Sequence, residues 1–309
     1  MRRVSGRTRI AIVGGGGGTG ASTLFNLVRT QAALDIAVLD HRPAMVTSHV
    51  MDLDQVLELS PGATVAEGRD ADVAAADIVV VTAAAPLTVN TSRTIYLADN
   101  AHIVDGVADL LPDGWPGIVV VVTNPVDPIV TRFQARTGLD RRRVVGYTIN
   151  DSLRLRTGLA RAFGAAPGEV EAWVIGEHGD ACVPLLDRVA VGGVPRVPTA
   201  AEAAAALDYL TGWYVRHVAL DSGRSSTWTT GAGVARMVTA IAGGSGELWP
   251  ASVRLAGEYG VEGVALTVPV TLGRGGAEVI HEWELTPGQL EAFRAAAELV
   301  RALAAGIDA

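Results

Sequence analysis

The sequence predicts an α/β protein in which a doubly wound parallel sheet occupies the first half and a mixed α+β unit the second. Short, almost continuously apolar runs at residues 10–13, 36–39, 78–81 and 118–122 alternate with longer stretches of mixed polarity. This is the pattern of strands covered by helices on both faces. The first run passes directly into a glycine turn, Gly14 to Gly20, a strand-to-helix junction. After Arg143 the rhythm is lost, so the two halves are taken as 1–143 and 144–309. In the second half a helix is expected over 151–163, a strand over 170–175, an Ala-rich helix after Thr199 and another from Thr229. Runs at 264–272 and 277–284 read as an antiparallel pair joined through Gly273, Gly275 and Gly276. Thr286 followed by Pro287 opens a last helix, as an N-cap with proline at the first helical position.

Composition removes several function classes. The chain has 309 residues, enough to bury a large core, and 49% are hydrophobic, yet its apolar runs are far too short to span a bilayer. The basic start, Met1 to Arg9, is followed by too short an apolar run for a signal peptide, so the cytoplasm is expected. A net charge of -8 opposes a phosphate-backbone footprint, so nucleic acid is not expected as a partner, and the short apolar runs give no expectation of a membrane. All 25 basic residues are arginine. A Walker-type phosphate loop, a Schiff base and a Tyr/Lys proton-transfer pair each need the missing amine. The single cysteine, Cys182, cannot form an internal disulfide or a multi-cysteine metal cage, and no metal site is read; it is expected to be a small core side chain.

The glycine turn fits two registers, Gly15, Gly17 and Gly20 or Gly14, Gly17 and Gly20. Either lets backbone approach a pyrophosphate at a helix N-terminus, where N–H groups and the dipole favour an anion. The second apolar run ends at Asp40, where a carboxylate would accept bonds from an adenosine ribose and repel a 2′-phosphate. NAD is therefore the expected cofactor. Read alone, the glycines are a flexible loop and Asp40 a turn residue before Pro43.

Asn124, after the run at 118–122, sits at the carboxyl edge of the sheet, where such folds bind ligands. Further on come Asp151 with Arg154 and then Gly176, Glu177, His178, Gly179 and Asp180. The ordered set of glycine turn, Asp40, residues 82–93, 123–127, 151–154, 176–180 and 268–273 resembles the lactate/malate dehydrogenase family of NAD-dependent 2-hydroxy acid dehydrogenases over nearly the whole chain. The resemblance implies a Rossmann-type NAD domain, a substrate domain, and a homodimer or homotetramer. Reducing a 2-oxo acid leaves an alkoxide, so a proton donor must sit beside the carbonyl, and His178 is that candidate. The resemblance makes Asp151 its partner carboxylate, Arg154 the fork for the substrate carboxylate, and Arg93 the loop arginine that polarises the carbonyl. Asn124 then lies near the reacting oxygen and nicotinamide, and Thr82 at the cofactor. Taken singly, Asp151 reads as a helix cap, Arg154 as its surface ion-pair partner and Asn124 as a turn residue.

Two departures concern the substrate. The family reads substrate identity largely at the residue after Pro86, where malate-type members resemble one another in carrying arginine and lactate-type members carry glutamine; here it is Leu87. An apolar residue cannot pair a second carboxylate. A 2-oxo acid with an apolar or specialised side chain is expected. Arg224 and Ser225 lie where the family lines the side-chain end of its substrate. Arg224 leaves open a malate-type substrate with a second anion, although a solvent-facing or interface arginine is the plainer reading. Asn150 stands where leucine is usual. A different class is a catalytically silent NAD(H) sensor, against which the set Arg93, Asp151, Arg154 and His178 argues.

Overall fold

The computed structural model describes residues 6–86 and 96–307. Six strands form a parallel set: β1 (Thr8–Val13), β2 (Leu34–Leu39), β3 (Ala63–Glu67), β4 (Ile78–Val81), β5 (Ile118–Val121) and β6 (Val144–Tyr147). Their order is 3-2-1-4-5-6, which is the expected doubly wound sheet, with β6 carrying the parallel set past Arg143. The helices between them are α1 (Gly18–Arg29), α2 (Pro43–Leu59), α3 (Asp70–Ala75), α4 (Leu97–Ala108) and α5 (Val126–Thr137). Alternate residues of one strand feed two cores. Val80 and Val120 pack with Leu24 and Leu27 of α1, whereas Val79 and Val119 pack with Val104 of α4 and Phe133 of α5. All four residues of β4 and of β5 are therefore buried, as their unbroken valine-rich sequences require.

The second half contains α6 (Asn150–Phe163), β7 (Val170–Glu171), β8 (Val174–Gly176), β9 (Cys182–Pro184), β10 (Ala190–Val191) and β11 (Val194–Pro195). Then follow α7 (Ala200–Val218), α8 (Thr227–Gly243), β12 (Glu247–Ala256), β13 (Glu262–Gly273), β14 (Gly276–Ile280) and α9 (Pro287–Ala305). β12 adds antiparallel to β6, and the sheet continues through β13, β8 and β9. A third core joins Leu155 and Leu159 of α6 to Leu210 of α7. Among the described residues no helix is long and apolar enough to cross a membrane.

Several expectations hold and others need correcting. The Gly273–Gly276 hairpin forms, and Thr286 caps α9 by accepting from the Gln289 N–H with Pro287 in its first turn. The strand expected over 170–175 is two. β7 joins a small sheet with β10 and β11, while β8 joins the large one. Between them the Ala172 carbonyl accepts from Arg156 Nε and the Trp173 carbonyl from Leu185 N–H, which takes the chain across. α8 begins at Thr227 rather than Thr229. β14 stops at Ile280 instead of reaching Glu284, because Trp283 N–H turns to the Tyr259 hydroxyl. Cys182 is partly buried against the third core. Burial, with Asp151, Glu177 and Asp180 nearby, pushes its thiol up to about 12, so it stays protonated.

Candidate active site

The carboxyl ends of β1, β4 and β5 open onto the crevice at the point where strand order reverses between β1 and β4. Gly14 and Gly15 N–H both bond the Leu39 carbonyl, at 2.8 and 2.9 Å, which folds the turn back over β2. Gly14 has φ +91°, and a Cβ there would lie 2.3 Å from Ala83 N. A Cβ on Gly20 would lie 2.2 Å from the Gly14 carbonyl oxygen. Those two positions tolerate only glycine, and they favour the register Gly14, Gly17, Gly20; Gly15 is also filled, by Val38. Gly17 is the N-cap of α1, no side chain caps that helix and its first turn carries no acid, so its N–H groups face an open cradle. Thr82 is fixed beside it by bonds from its N–H and hydroxyl to the Val13 carbonyl.

Asp40 ends β2 at the same cradle. Its Oδ2 accepts from Gly16 N–H at 3.0 Å, and its Oδ1 from Arg42 N–H and Arg42 Nε at 3.0 Å each. Burial disfavours the charge, but the bonds and charge of Arg42 and the Gly16 N–H outweigh it and hold the carboxyl below its ordinary range. A cavity of about 770 Å³ runs from Asp40 past the glycine turn to Thr82. The uncapped helix end, the glycine floor and an ionised carboxylate suit a dinucleotide pyrophosphate and ribose.

A second cavity, of about 280 Å³, adjoins it and shares Thr19, Thr82 and Ser225. Arg154 and His178 line it, and Asp151 bonds to both. Asp151 and Arg154 lie one turn apart at the start of α6, and Arg154 Nη1 donates to Asp151 Oδ1 at 3.0 Å. His178 Nδ1 lies 2.5 Å from Asp151 Oδ2. Side chains in this triplet are at most 10% exposed, so Arg154 is no surface ion-pair partner. His178 sits in the turn between β8 and β9, after Gly176 at φ +87°. Glu177 bonds Ala181 N–H and Asp180 is exposed, as loop charges.

Asn124 sits at the end of β5, its carbonyl accepting from Asn100 Nδ2 at 2.7 Å. Asn100 Oδ1 also accepts from Ala85 N–H at 2.7 Å, tying the β4 and β5 ends together. Ser225 Oγ lies 3.2 Å from Thr19 Oγ1, so the α7–α8 loop touches the glycine turn. Arg224 lines the smaller cavity, and its exposed guanidinium lies 5.0 Å over the Trp228 ring. Asn150 donates to Thr230 Oγ1 and accepts from the Tyr147 hydroxyl, both at 2.9 Å. Leu87 and Arg93 lie outside the described residues.

Sequence reasoning missed Asn100, Trp213, His217 and the structural part of Asp127. Asp127 is 1% exposed on α5, and its Oδ2 accepts from His178 N–H at 2.6 Å. Burial, with Glu177 and Asp151 as negative neighbours, pushes its carboxyl up to about 8 despite the His178 N–H bond. The folded state therefore holds this proton to a higher pH than the unfolded chain, whose Asp127 titrates near 3.8. Stability contributed by the protonated acid is complete below about pH 4 and is lost as pH rises to about 8. Asp127→Asn mimics the neutral acid. Between pH 5 and pH 8 the unaltered protein is expected to lose roughly 5 °C more in Tm than the variant, read by calorimetry. Equal losses would mean that Asp127 is ionised throughout.

Comparison with known proteins agrees with this geometry. A family model described as lactate/malate dehydrogenase, NAD binding domain, matches residues 8–146, and one described as lactate/malate dehydrogenase, alpha/beta C-terminal domain, matches 148–308. The chain is 33% identical over 299 residues to a malate dehydrogenase of Halobacterium salinarum, covering 96% of this chain and 98% of that protein. It is 29% identical over 302 residues to an L-lactate dehydrogenase of Mesoplasma florum, covering 95% and 94%. The crystal structure of Cryptosporidium parvum malate dehydrogenase superposes with a TM-score of 0.91 at 27% identity, covering 98% of this chain and 99% of that one.

Proposed function

Because the chain belongs to the lactate/malate dehydrogenase family and is an NAD-dependent 2-hydroxy acid dehydrogenase, we propose that it interconverts a 2-oxo acid and a 2-hydroxy acid whose side chain is apolar or bulky. The observation that carries the reaction is the buried Asp151–His178–Arg154 triplet, of which Arg154 and His178 line a cavity adjoining the larger one beside the glycine turn. The glycine turn and Asp40 would hold NAD, which when bound would supply or accept the hydride. Arg154 grips the substrate carboxylate with its planar fork. His178 gives a proton to the developing alkoxide, or takes it in the reverse direction. Asp151, bonded to Nδ1, fixes the ring's orientation and stabilises its charged form. Asn124 lies near the reacting oxygen, and Arg93 supports the carbonyl's developing charge.

The division into a cofactor domain, 1–143, and a substrate domain, 144–309, is supported by family models that meet between 146 and 148. We place the enzyme in the cytoplasm, in keeping with its free Cys182 and its use of NAD. A homodimer or homotetramer is supported by the exposed apolar Phe25, Met45 and Met51 on α1 and α2, and sedimentation velocity distinguishes these from a monomer.

The apolar side-chain reading rests on Leu87 at the position that reads substrate identity, and on Trp213 and Val218 in the cavity wall. Arg224, also in that wall, favours a second reading, a malate-type substrate with a second anion. A panel of pyruvate, a branched 2-oxo acid and oxaloacetate with NADH separates them. We expect the branched acid to be preferred, and Leu87→Arg to raise kcat/KM for oxaloacetate roughly tenfold to hundredfold, the worth of one charge-assisted hydrogen bond. Strong oxaloacetate reduction by the unaltered enzyme that is lost in Arg224→Ala would establish the malate-type reading instead.

A further inference from the structure

The Arg154 guanidinium does more than face Asp151. Its central carbon lies 4.2 Å from the centroid of the Trp213 ring on α7. One turn further along α7, the His217 ring stacks on Trp213, with centroids 4.8 Å apart and planes inclined by 13°. His217 Nε2 in turn lies 2.9 Å from the Arg224 carbonyl oxygen, where its N–H donates to the loop between α7 and α8. That loop bears Ser225, whose hydroxyl meets Thr19 at the glycine turn. Three flat groups are thus linked by successive contacts, and Arg154, Trp213 and His217 all line that cavity.

A guanidinium can bind a carboxylate through both N–H groups only when its plane is fixed, and an isolated arginine side chain loses rotamer freedom to do so. Asp151 holds one edge of Arg154. The Trp213 ring holds its guanidinium by dispersion and the attraction of a cation to the ring's negative face. His217 stacks on Trp213 and bonds the loop.

We propose that Trp213 is a positioning residue that sets the plane of the Arg154 guanidinium, and that His217 couples this stack to the loop carrying Arg224, so that side-chain discrimination at the rim depends on it. The proposal rests on Arg154 being the carboxylate-binding group.

The test combines steady-state kinetics on pyruvate and oxaloacetate at saturating NADH with calorimetric titration of oxamate, a carboxylate of similar shape, into the enzyme–NADH complex. Trp213→Ala is expected to raise KM and the oxamate Kd about tenfold with kcat within about twofold, the split left by losing a contact made equally in ground and transition states. Trp213→Phe, which keeps a ring face, recovers most of the loss. Should Trp213→Ala not fold, Trp213→Leu fills the space without a ring face and is expected to give the same split. His217→Phe keeps the stack and removes the bond to the loop. It leaves the oxamate Kd unchanged and shifts the pyruvate to oxaloacetate kcat/KM ratio by roughly threefold or more. Arg154→Leu supplies the reference. If it raises KM while Trp213→Ala does not, the positioning role is overturned and the carboxylate role stands. If neither raises KM, the carboxylate reading falls with it.

Discussion

His178→Asn is expected to lower kcat by roughly a hundredfold to ten-thousandfold, the range a positioned general acid or base contributes, while NADH binding is unchanged. Asparagine has no ring nitrogen to exchange a proton, yet its amide lets the side chain still bond Asp151. The two outcomes separate because different side chains serve them. The proposed dinucleotide cradle is lined by Gly14, Gly20, Thr82 and Asp40, whereas the imidazole Nδ1 is committed to Asp151 Oδ2 at 2.5 Å. On the proposed reading, proton exchange is therefore left to Nε2. Asp151→Asn acts through the same ring: it keeps the shape but removes the charge that stabilises the imidazolium, so it lowers kcat by a smaller factor. Stopped-flow reduction of the preferred 2-oxo acid, with NADH fluorescence for binding, reads both quantities. Retention of most of the turnover by the His178 variant would exclude the histidine as proton donor.

Much of the candidate site was legible because the proposed chemistry needs residues whose types and order are restricted. Asp151 and Arg154 are three apart on a helix, and His178 stands between glycines, so sequence spacing alone suggests a cluster. The four apolar runs gave four of the six parallel strands, and two of these, β4 and β5, are buried on both faces and must be apolar throughout. What stayed hidden depends on packing between segments distant in the chain. β12 is interrupted by Pro250, Ser252 and Arg254, and it is held as a strand by β6 and β13 on its two sides. Pro250 lies opposite Pro269 there, so neither missing N–H shows in the sequence as compatible with a strand. The glycine register needed backbone angles and the clearance of an absent Cβ. Trp213 and His217 look like ordinary members of an Ala-rich helix, and only the approach of α6 to α7 sets a ring beside Arg154. The Trp213–His217 spacing of four was visible and, with no partner in view, uninformative.

Arg154→Leu should give the second large loss, a fall in kcat/KM of roughly two to three and a half orders of magnitude. The side chain is 10% exposed and bonded to Asp151, so a substrate carboxylate reaching it leaves water almost completely. Breaking one partner of a buried ion pair costs about 3–5 kcal/mol, because the remaining charge is stranded without solvent, and each 1.36 kcal/mol is a factor of ten. The loss falls on substrates in common, since every 2-oxo acid brings the same carboxylate whatever its side chain. Arg154→Lys retains a positive charge but not the planar fork or its stacking on Trp213, and is expected to recover only part of the loss. The order leucine, lysine, arginine in kcat/KM, seen alike with pyruvate, a branched 2-oxo acid and oxaloacetate, is what carboxylate recognition demands. A leucine variant that lost Tm while its KM stayed put would instead make Arg154 a structural partner of Asp151 and require the substrate carboxylate to be held elsewhere in the cavity.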